Sequence, residues 1–435
     1  MNIVPPILSK TTWLAALLSL SAAMFAASLQ AQTPRFADAT QDVSQVLALI
    51  ERRLSLMPEI AAWKWHAQQP IADLERERQV LERSVAEAQA IGLDAASARR
   101  FFDVQIRMAR AVQAQHFERW RGQAAAQVPS GRDLNTELRP ALDATSRELL
   151  VAVYVASAAL PQVLQEPRIL VQLDRLHQYG GVDEAQVAEL RAALAAMRID
   201  TEASLARIKR VGVIRVGTTG DYAPFSSDRD GVLTGFDVSL AIDLAHHLGV
   251  KISFVRTTWP TLMDDFHHHR FDIAMSGISV TPERAVHADF STAYHVDGKT
   301  PIARCKVAAQ FATLDQIDKP EVRVIVNPGG TNERFVRERI KRATIVVHAD
   351  NRTVFDEVVA GRADVMFTDG IEVALQVQRY PTQLCGTMRA PLTQAQKAIM
   401  LPREGWKNAV DNWLAPQLKS GQVQERLQLA LLAAQ

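Results

Sequence analysis

Residues 183–219 read DEAQVAELRAALAAMRIDTEASLARIKRVGVIRVGTT. Through Arg210 the stretch is rich in Ala and Arg, contains no Pro or Gly and carries a helical pattern. From Val213 it turns to a β-branched run closed by a glycine. Before this switch the chain keeps a helical period; after it, short strands and helices alternate. The stretch therefore divides the chain into an all-helical half, 36–207, and an α/β half, 208–435. No Pro-, Gly- or Ser-rich tether lies at the joint, so a stiff helical connection is expected.

In the first half Val43, Val46, Leu47, Ile50, Leu54 and Met57 recur at spacings of three and four, an apolar stripe on a helix. Glycine appears at breaks: Gly92, Gly122, Gly131, Gly180 and Gly181. The spacing predicts about six helices, with GQAAAQVPSGRDL (122–134) as a loop and Asp133 capping the helix after it. In the second half VIRVGTT, KISFVRT, FDIAMSG, VRVIVNPGG, TIVVHA and ADVMFTDG are short strands. FDVSLAIDLAHHLG and RTVFDEVVAGR lie between them as helices. Alternation of this kind predicts mostly parallel sheets. The fold class is thus multidomain, an all-α bundle followed by an α/β domain.

At 435 residues the chain exceeds one ordinary domain. Lys and Arg total 49 against 48 Asp and Glu, so no global field draws the protein to nucleic acid or anionic lipid, and any anion specificity must be local. Lys10 precedes the apolar run TTWLAALLSLSAAMFAASLQA, and polar QTPRFADA follows. This is the pattern of a secretory signal over 1–31 with cleavage after Ala31, although Leu29 is larger than such sites favour. No later run approaches the ~20 apolar residues that span a bilayer. A periplasmic or secreted chain, free of the membrane after cleavage, is expected. Cys305 and Cys385 are the only cysteines, and an oxidising compartment permits a bond, although two separate buried thiols remain open.

Several charges sit among the apolar helical positions. Arg53 and Lys64 are eleven residues apart, near three helical turns, with Pro58 between them. Asp73 and Arg76 are i,i+3 neighbours, followed by Glu77; Gln113 lies among apolar residues, and Arg139 opens a further helix. Singly these are surface charges. Brought together by a bundle, they suit a small ligand with two carboxylates, a polar bridge and a hydroxyl. The run AAWKWHAQQPIADLERERQVL, with GLDAASARRFFDVQIR after it, resembles the secreted all-helical class of chorismate mutases over about 40–200. The resemblance implies that Lys64 and Gln113 meet the ether oxygen, that Arg53, Arg76 and Arg139 hold carboxylates, and that Asp73 and Glu77 take the ring hydroxyl. Two departures stand out: this half has no cysteine, and the segment before Arg139 is one residue longer.

In the second half VIRVGTTGDYAPFS, LTGFDVSLAIDLAHHLG, FDIAMSGISVTPERAVHADFS and GRADVMFTDG resemble the periplasmic amino-acid-binding receptors. That fold implies two lobes, about 211–302 with 391–435 and about 303–390, and a ligand between them. By the same resemblance Ser276, Ser279, Thr281 and Arg284 grip a carboxylate, Tyr222 gives an aromatic contact, and Asp369 receives an α-amino group. GTTGDYAPF, TTWPTLMDDF, DGKTPIARC and VNPGGTNERF are more particular and resemble the cyclohexadienyl dehydratases. This implies loss of CO2 and hydroxide from prephenate, giving phenylpyruvate, or from arogenate, giving phenylalanine. Glu333 is then the expected general acid, with a raised pKa. Arg284 holds the side-chain carboxylate, Lys299 and Thr331 face the departing one, and Trp259 packs on the ring.

Other signals carry less. The three histidines at 267–269 cannot share one face and read as a helix end, not a metal site. The glycines of GTTGDYAPF lack the spacing of a P-loop or a dinucleotide fold, and no cofactor site is predicted. The sequence thus predicts an exported bifunctional enzyme taking chorismate through prephenate. The alternative is the same mutase fused to a non-catalytic amino-acid receptor. Oligomeric state stays open, a homo-oligomer included.

Overall fold

The computed structural model describes residues 33–121, 128–403 and 405–434. The expected secretory signal, and residues 122–127 of the expected 122–134 loop, lie outside them. Residues 35–435 form one unit.

Helix α1 (Ala39–Ser55) begins at Asp38, whose carboxylate accepts the backbone N–H groups of Thr40 and Gln41. It buries the stripe Val43, Val46, Leu47, Ile50 and Leu54. The chain breaks at Leu56 and restarts as α2 (Met57–His66), with Pro58 in the first turn, where its missing N–H costs nothing. Helices α3 (Leu74–Ala90) and α4 (Ala95–Trp120) are capped by Asp73 and Asp94. A π-helical turn, Leu134–Leu138, leads into α5 (Arg139–Ala156). Short α6 (Leu160–Val163) and α7 (Pro167–Asp174) precede α8 (Glu184–Ala195) and α9 (Leu205–Val211). Six of these nine helices have ten residues or more, in line with the apolar period. Helix α1 packs on α5, and α2 and α3 on α4, around one core.

The connection read as continuous helix over 183–210 is broken. Residues 196–204 leave the helix, Ile199 bridges to Leu93, and Ser204 restarts it by accepting the Arg207 N–H. Tertiary pairing of Ile199 outweighs local helix propensity here.

The α/β half has two five-stranded sheets. In the first, Val213–Thr218 lies between parallel Lys251–Arg256 and Ile273–Ala274, and Met400–Leu401 and Asp289–Phe290 complete the far edge. In the second, Thr344–Val347, Arg323–Val326 and Val365–Asp369 are parallel, and Lys299–Arg304 and Leu384–Gly386 add antiparallel strands. The expected lobe boundary at 302/303 therefore falls inside a strand of the second sheet. The chain passes between lobes through an antiparallel pair, His295–Asp297 with Ala395–Lys397. Cys305 and Cys385 are bonded at the edge of the second sheet, next to strand Lys299–Arg304. The three histidines close helix Leu262–His267, as expected of a helix end.

A buried charged cluster joins the two halves. The Tyr154 hydroxyl, from α5, donates to Asp272 at 2.7 Å. Arg215 donates to the same carboxylate at 2.8 Å, and its guanidinium lies 4.4 Å from the Tyr154 ring centre. Arg207 approaches Asp272 at 3.5 Å. The Asp272 and Arg215 side chains are wholly buried, so each charge depends on the others.

Candidate active sites

The helical half encloses a cavity of about 390 Å³. All seven side chains expected there line it: Arg53, Lys64, Asp73, Arg76, Glu77, Gln113 and Arg139. Seven basic groups face four acidic ones across the lining, so the cavity favours a dianion. Arg53 donates to Ser146 and is buried; burial pushes its guanidinium down to about 10, leaving it cationic at neutral pH. Lys64 donates to the Ile71 carbonyl at 2.7 Å. Burial, joined by nearby Arg139, holds its ammonium below the ordinary value despite Glu77 and Asp73. The Gln113 amide is buried between Met57 and the Ala109 carbonyl, 3.2 Å away, and its Oε1 has no partner among the described residues. Asp73 caps α3 by accepting the Arg76 N–H at 3.0 Å, and Glu77 pairs with Arg110.

Arg139 reaches the cavity by a specific device. A π turn holds one residue more than an α turn before the helix resumes. The turn Leu134–Leu138 leads directly into the helix that Arg139 opens, and Arg139 lines the cavity, donating to Asn135. Arg110, Ser146 and Arg83 also line the cavity and were not singled out from the sequence. Arg110 sits one turn before Gln113, and Ser146 two turns after Arg139, so helical spacing could have found both.

The second cavity, about 650 Å³, opens between the lobes. Trp259, Thr281 and Arg284 line one wall, and Thr331 and Glu333 the other. Arg284 is buried and donates to the Ser279 carbonyl at 2.9 Å; burial, with Arg334 adding, pushes its guanidinium down to about 10. The Trp259 indole donates to Asp221 at 3.1 Å, and its ring stands edge-on to Tyr222. Thr281 also caps the short helix Pro282–Ala285.

Behind this cavity lies a sealed network of Tyr222, Ser279, Lys299, Asp369 and Lys397. Lys299 donates to Asp369 Oδ1 at 2.7 Å and to Thr331 at 2.9 Å. Lys397 donates to Asp369 Oδ2 at 2.5 Å and to Ser279 at 3.0 Å, and Tyr222 donates to the same Oδ2. Burial raises the Asp369 carboxyl, but the Lys397 and Lys299 ammonium groups outweigh it and hold it far below the carboxylate range. Lys397, only 1% exposed, was missed by the sequence reading.

Three expectations change. Asp369, expected free to receive an amine, already carries two. Ser276 does not face the cavity; its hydroxyl binds Thr219 at 2.8 Å and Ser226 at 2.7 Å inside the first lobe. Glu333, expected with a raised pKa, is held below its ordinary value. The Gly329 N–H donates to it at 2.7 Å and Arg337 at 2.8 Å, and partial burial does not compensate.

Two sequence families match this architecture. The profile of chorismate mutase type II matches residues 44–114, and that of the bacterial extracellular solute-binding proteins, family 3, matches 214–428. Cyclohexadienyl dehydratase of Pseudomonas aeruginosa is 51% identical over 230 residues, 52% of this chain and 85% of that protein. The L-cystine-binding protein of Escherichia coli K12 is 29% identical over 227 residues, 51% of this chain and 84% of its own. Among solved structures, an ancestral amino acid-binding protein described as a precursor of cyclohexadienyl dehydratase is 34% identical. It aligns with 53% of this chain and 100% of its own, with a TM-score of 0.49. The class is a chorismate mutase type II bundle joined to a two-lobed solute-binding fold. Within that fold, the chain belongs to the cyclohexadienyl dehydratase family.

Proposed function

We propose that the chain is a bifunctional enzyme acting outside the cytoplasm, rearranging chorismate to prephenate and then converting prephenate to phenylpyruvate. The convergence of seven side chains on one cation-rich cavity carries the first half of this reading. The rearrangement is pericyclic and needs no covalent partner. Catalysis requires a compact conformer and donors at the ether oxygen, where negative charge develops. Lys64 and Gln113 are those donors, and Arg53, Arg76 and Arg139 fix the carboxylates by guanidinium geometry. Asp73 keeps acceptor capacity for the ring hydroxyl beyond its capping bond, with Glu77 beside it.

In the second step the C–C bond to the ring carboxylate breaks, its electron pair enters the ring, and CO2 leaves. The ring hydroxyl departs with a proton as water. Arg284 holds the carboxylate that stays. Glu333 supplies the proton and is reprotonated from solvent. Because its carboxyl is held low in this structure, the bound state must desolvate it. The signal pattern before Ala31 and the match to an extracellular family support export.

The same ionised Glu333 favours one alternative, a mutase fused to an amino-acid receptor without dehydratase activity. Incubating the purified full chain with chorismate and following products in time separates the two. Phenylpyruvate is expected; prephenate that accumulates and decays only at its spontaneous rate indicates the receptor.

A further inference from the structure

The arginines around the helical cavity are held in two ways. Arg83 and Arg110 are paired with acids, Asp143 at 2.7 Å and Glu77. Arg53 and Arg139 meet neutral oxygens instead, Ser146 Oγ and Asn135 Oδ1, and neither forms an ion pair among the described residues. The contrast holds even between adjacent positions. Arg52 and Arg53 leave α1 side by side and meet α5, where the half-exposed Arg52 takes Glu148 at 3.2 Å and the buried Arg53 takes Ser146. Each neutral acceptor also lines the cavity and is itself fixed. Ser146 gives its one proton to the Leu142 carbonyl at 2.6 Å, so its oxygen can only accept from Arg53. The Asn135 N–H donates to Asp133 at 2.9 Å, and Asn135 lies one helical turn before Arg139. Asp143, the acid that acts on Arg53 through space, is the one already paired with Arg83.

We propose that Ser146 and Asn135 are positioning residues, neutral acceptors that aim Arg53 and Arg139 at the carboxylates of a small dicarboxylate without neutralising them. An acid in either place would hold the guanidinium equally well, but it would compete with the ligand for the same donors, and breaking a buried pair is costly. A hydroxyl or amide oxygen carries only a partial charge. It sets the direction of the guanidinium before the ligand arrives and leaves the full positive charge to the ligand's carboxylate. Arginines that the rearrangement does not need are tied to acids, and two that it does need are not. The inference rests on reading this cavity as the chorismate site only for the name of the dicarboxylate; the division of the arginines is a property of the cavity.

The test uses the full chain. KM and kcat for chorismate read turnover, and calorimetric titration with an unreactive oxabicyclic dicarboxylate shaped like the transition state reads binding. Ser146→Ala should raise both KM and the Kd of the analogue ~10-fold, the lower worth of a hydrogen bond to a charged group. Its kcat should stay within ~3-fold, because a carboxylate anchor acts alike in the ground and transition states. Alanine favours a helix interior, so this variant keeps its fold. Ser146→Thr keeps the hydroxyl and its bond to the preceding turn, and should return KM to within ~3-fold of wild type. Asn135→Asp keeps the shape and the bond to Arg139 but adds a charge, and should raise KM and Kd at least ~3-fold, the worth of a partly exposed ion pair. Glu148→Gln, which frees Arg52 outside the cavity, should change neither. Wild-type KM and Kd in Ser146→Ala overturn the positioning role, and wild-type values in Asn135→Asp overturn the need for a neutral acceptor. A Ser146→Ala defect in kcat alone, not rescued by threonine, shows a merely structural serine and overturns the proposal equally. A wild type that binds the analogue but leaves chorismate unchanged refutes the mutase reading instead, and the Kd values then decide the proposal by themselves. A wild type that does not bind the analogue overturns both.

Discussion

Glu333 offers the sharpest kinetic test, because the structure places its carboxyl on the wrong side of neutrality for a general acid. An ordinary glutamic acid has a pKa of ~4.3, so at pH 7 only about one in 500 is protonated. Here the Gly329 N–H and Arg337 lower it further. Arg337 is 55% exposed and pairs across one helical turn, an arrangement worth roughly 0.3–0.5 kcal/mol, or about twofold in proton affinity. Its removal cannot make the acid competent. Raising the pKa from 4.3 to near 7 takes about 3.7 kcal/mol at 1.36 kcal/mol per unit. Full burial of a carboxyl supplies that much, with shifts of up to ~3–5 units. Substrate-driven closure is thus the only source of the right size. Accordingly, kcat/KM for prephenate, which reports the free enzyme, should fall about tenfold per pH unit from pH 5 to 7, whereas kcat should stay level to a higher pH. Arg337→Gln should raise kcat/KM only about twofold over that range. Glu333→Gln should cut dehydration ~10²–10⁴-fold while leaving the mutase rate intact. The assay is disappearance of prephenate, with its spontaneous acid breakdown subtracted at each pH. A flat kcat/KM from pH 5 to 8, together with Glu333→Gln within a few-fold of wild type, refutes the reasoning. Glu372, fully buried and pushed up to about 8 by that burial, then becomes the next acid to replace.

The two activities should separate by mutation. Lys64→Ala or Arg76→Ala should lower chorismate turnover by at least ~10²-fold, as loss of a transition-state donor does, and leave prephenate dehydration unchanged when each is assayed with its own substrate. Tyr154→Phe should cost about 1.5–3 kcal/mol in denaturant unfolding, the worth of a hydrogen bond to a charged acceptor, with both catalytic rates preserved; an unchanged midpoint would show the joint to be dispensable. Reduction of the Cys305–Cys385 bond, which closes a separation of 80 residues, should remove roughly 4.5 kcal/mol under the chain-entropy account, and two reactive thiols in denatured, unreduced protein would contradict the bond.

What was legible followed periodicity. The stripe Val43 to Leu54 places α1 against the core, and the same spacing turns Arg53 inward with it, so the helical site could be read from charges embedded in apolar runs. Arg139 was harder, because its direction depends on the π turn before it, a single backbone step that no residue type announces. In the α/β half the local segments were legible but the long-range pairings were not. Lys397 sits in QAQKAIM, where a lone lysine reads as a solvent-facing strand position. Its burial depends on pairing with His295–Asp297 and on Asp369, which lies on a strand of the other lobe. Ser276 and Arg284 belong to one motif, yet the bend after strand Ile273–Ala274 turns the serine into the lobe and the arginine stays at the cleft. Sequence proximity carried the motif but not its facing.

The electrostatics give the two reactions a common logic. The chain as a whole is nearly neutral, yet both cavities carry a cationic excess, because many other charges cancel locally, as in Arg99 with Glu82 and Arg78 with Glu75. Chorismate and prephenate are both dicarboxylates, since the rearrangement moves no proton, so one kind of field captures the first substrate and the intermediate alike. Decarboxylation then removes one of the two charges. A site holding its ligand through two anionic anchors loses about half of that attraction at the moment of reaction, while Arg284 keeps the other. The step that drives aromatisation also weakens product binding. Water-exposed charges are screened within ~8 Å at physiological salt, so the attraction that remains rests on the buried Arg284 more than on the arginines at the rim.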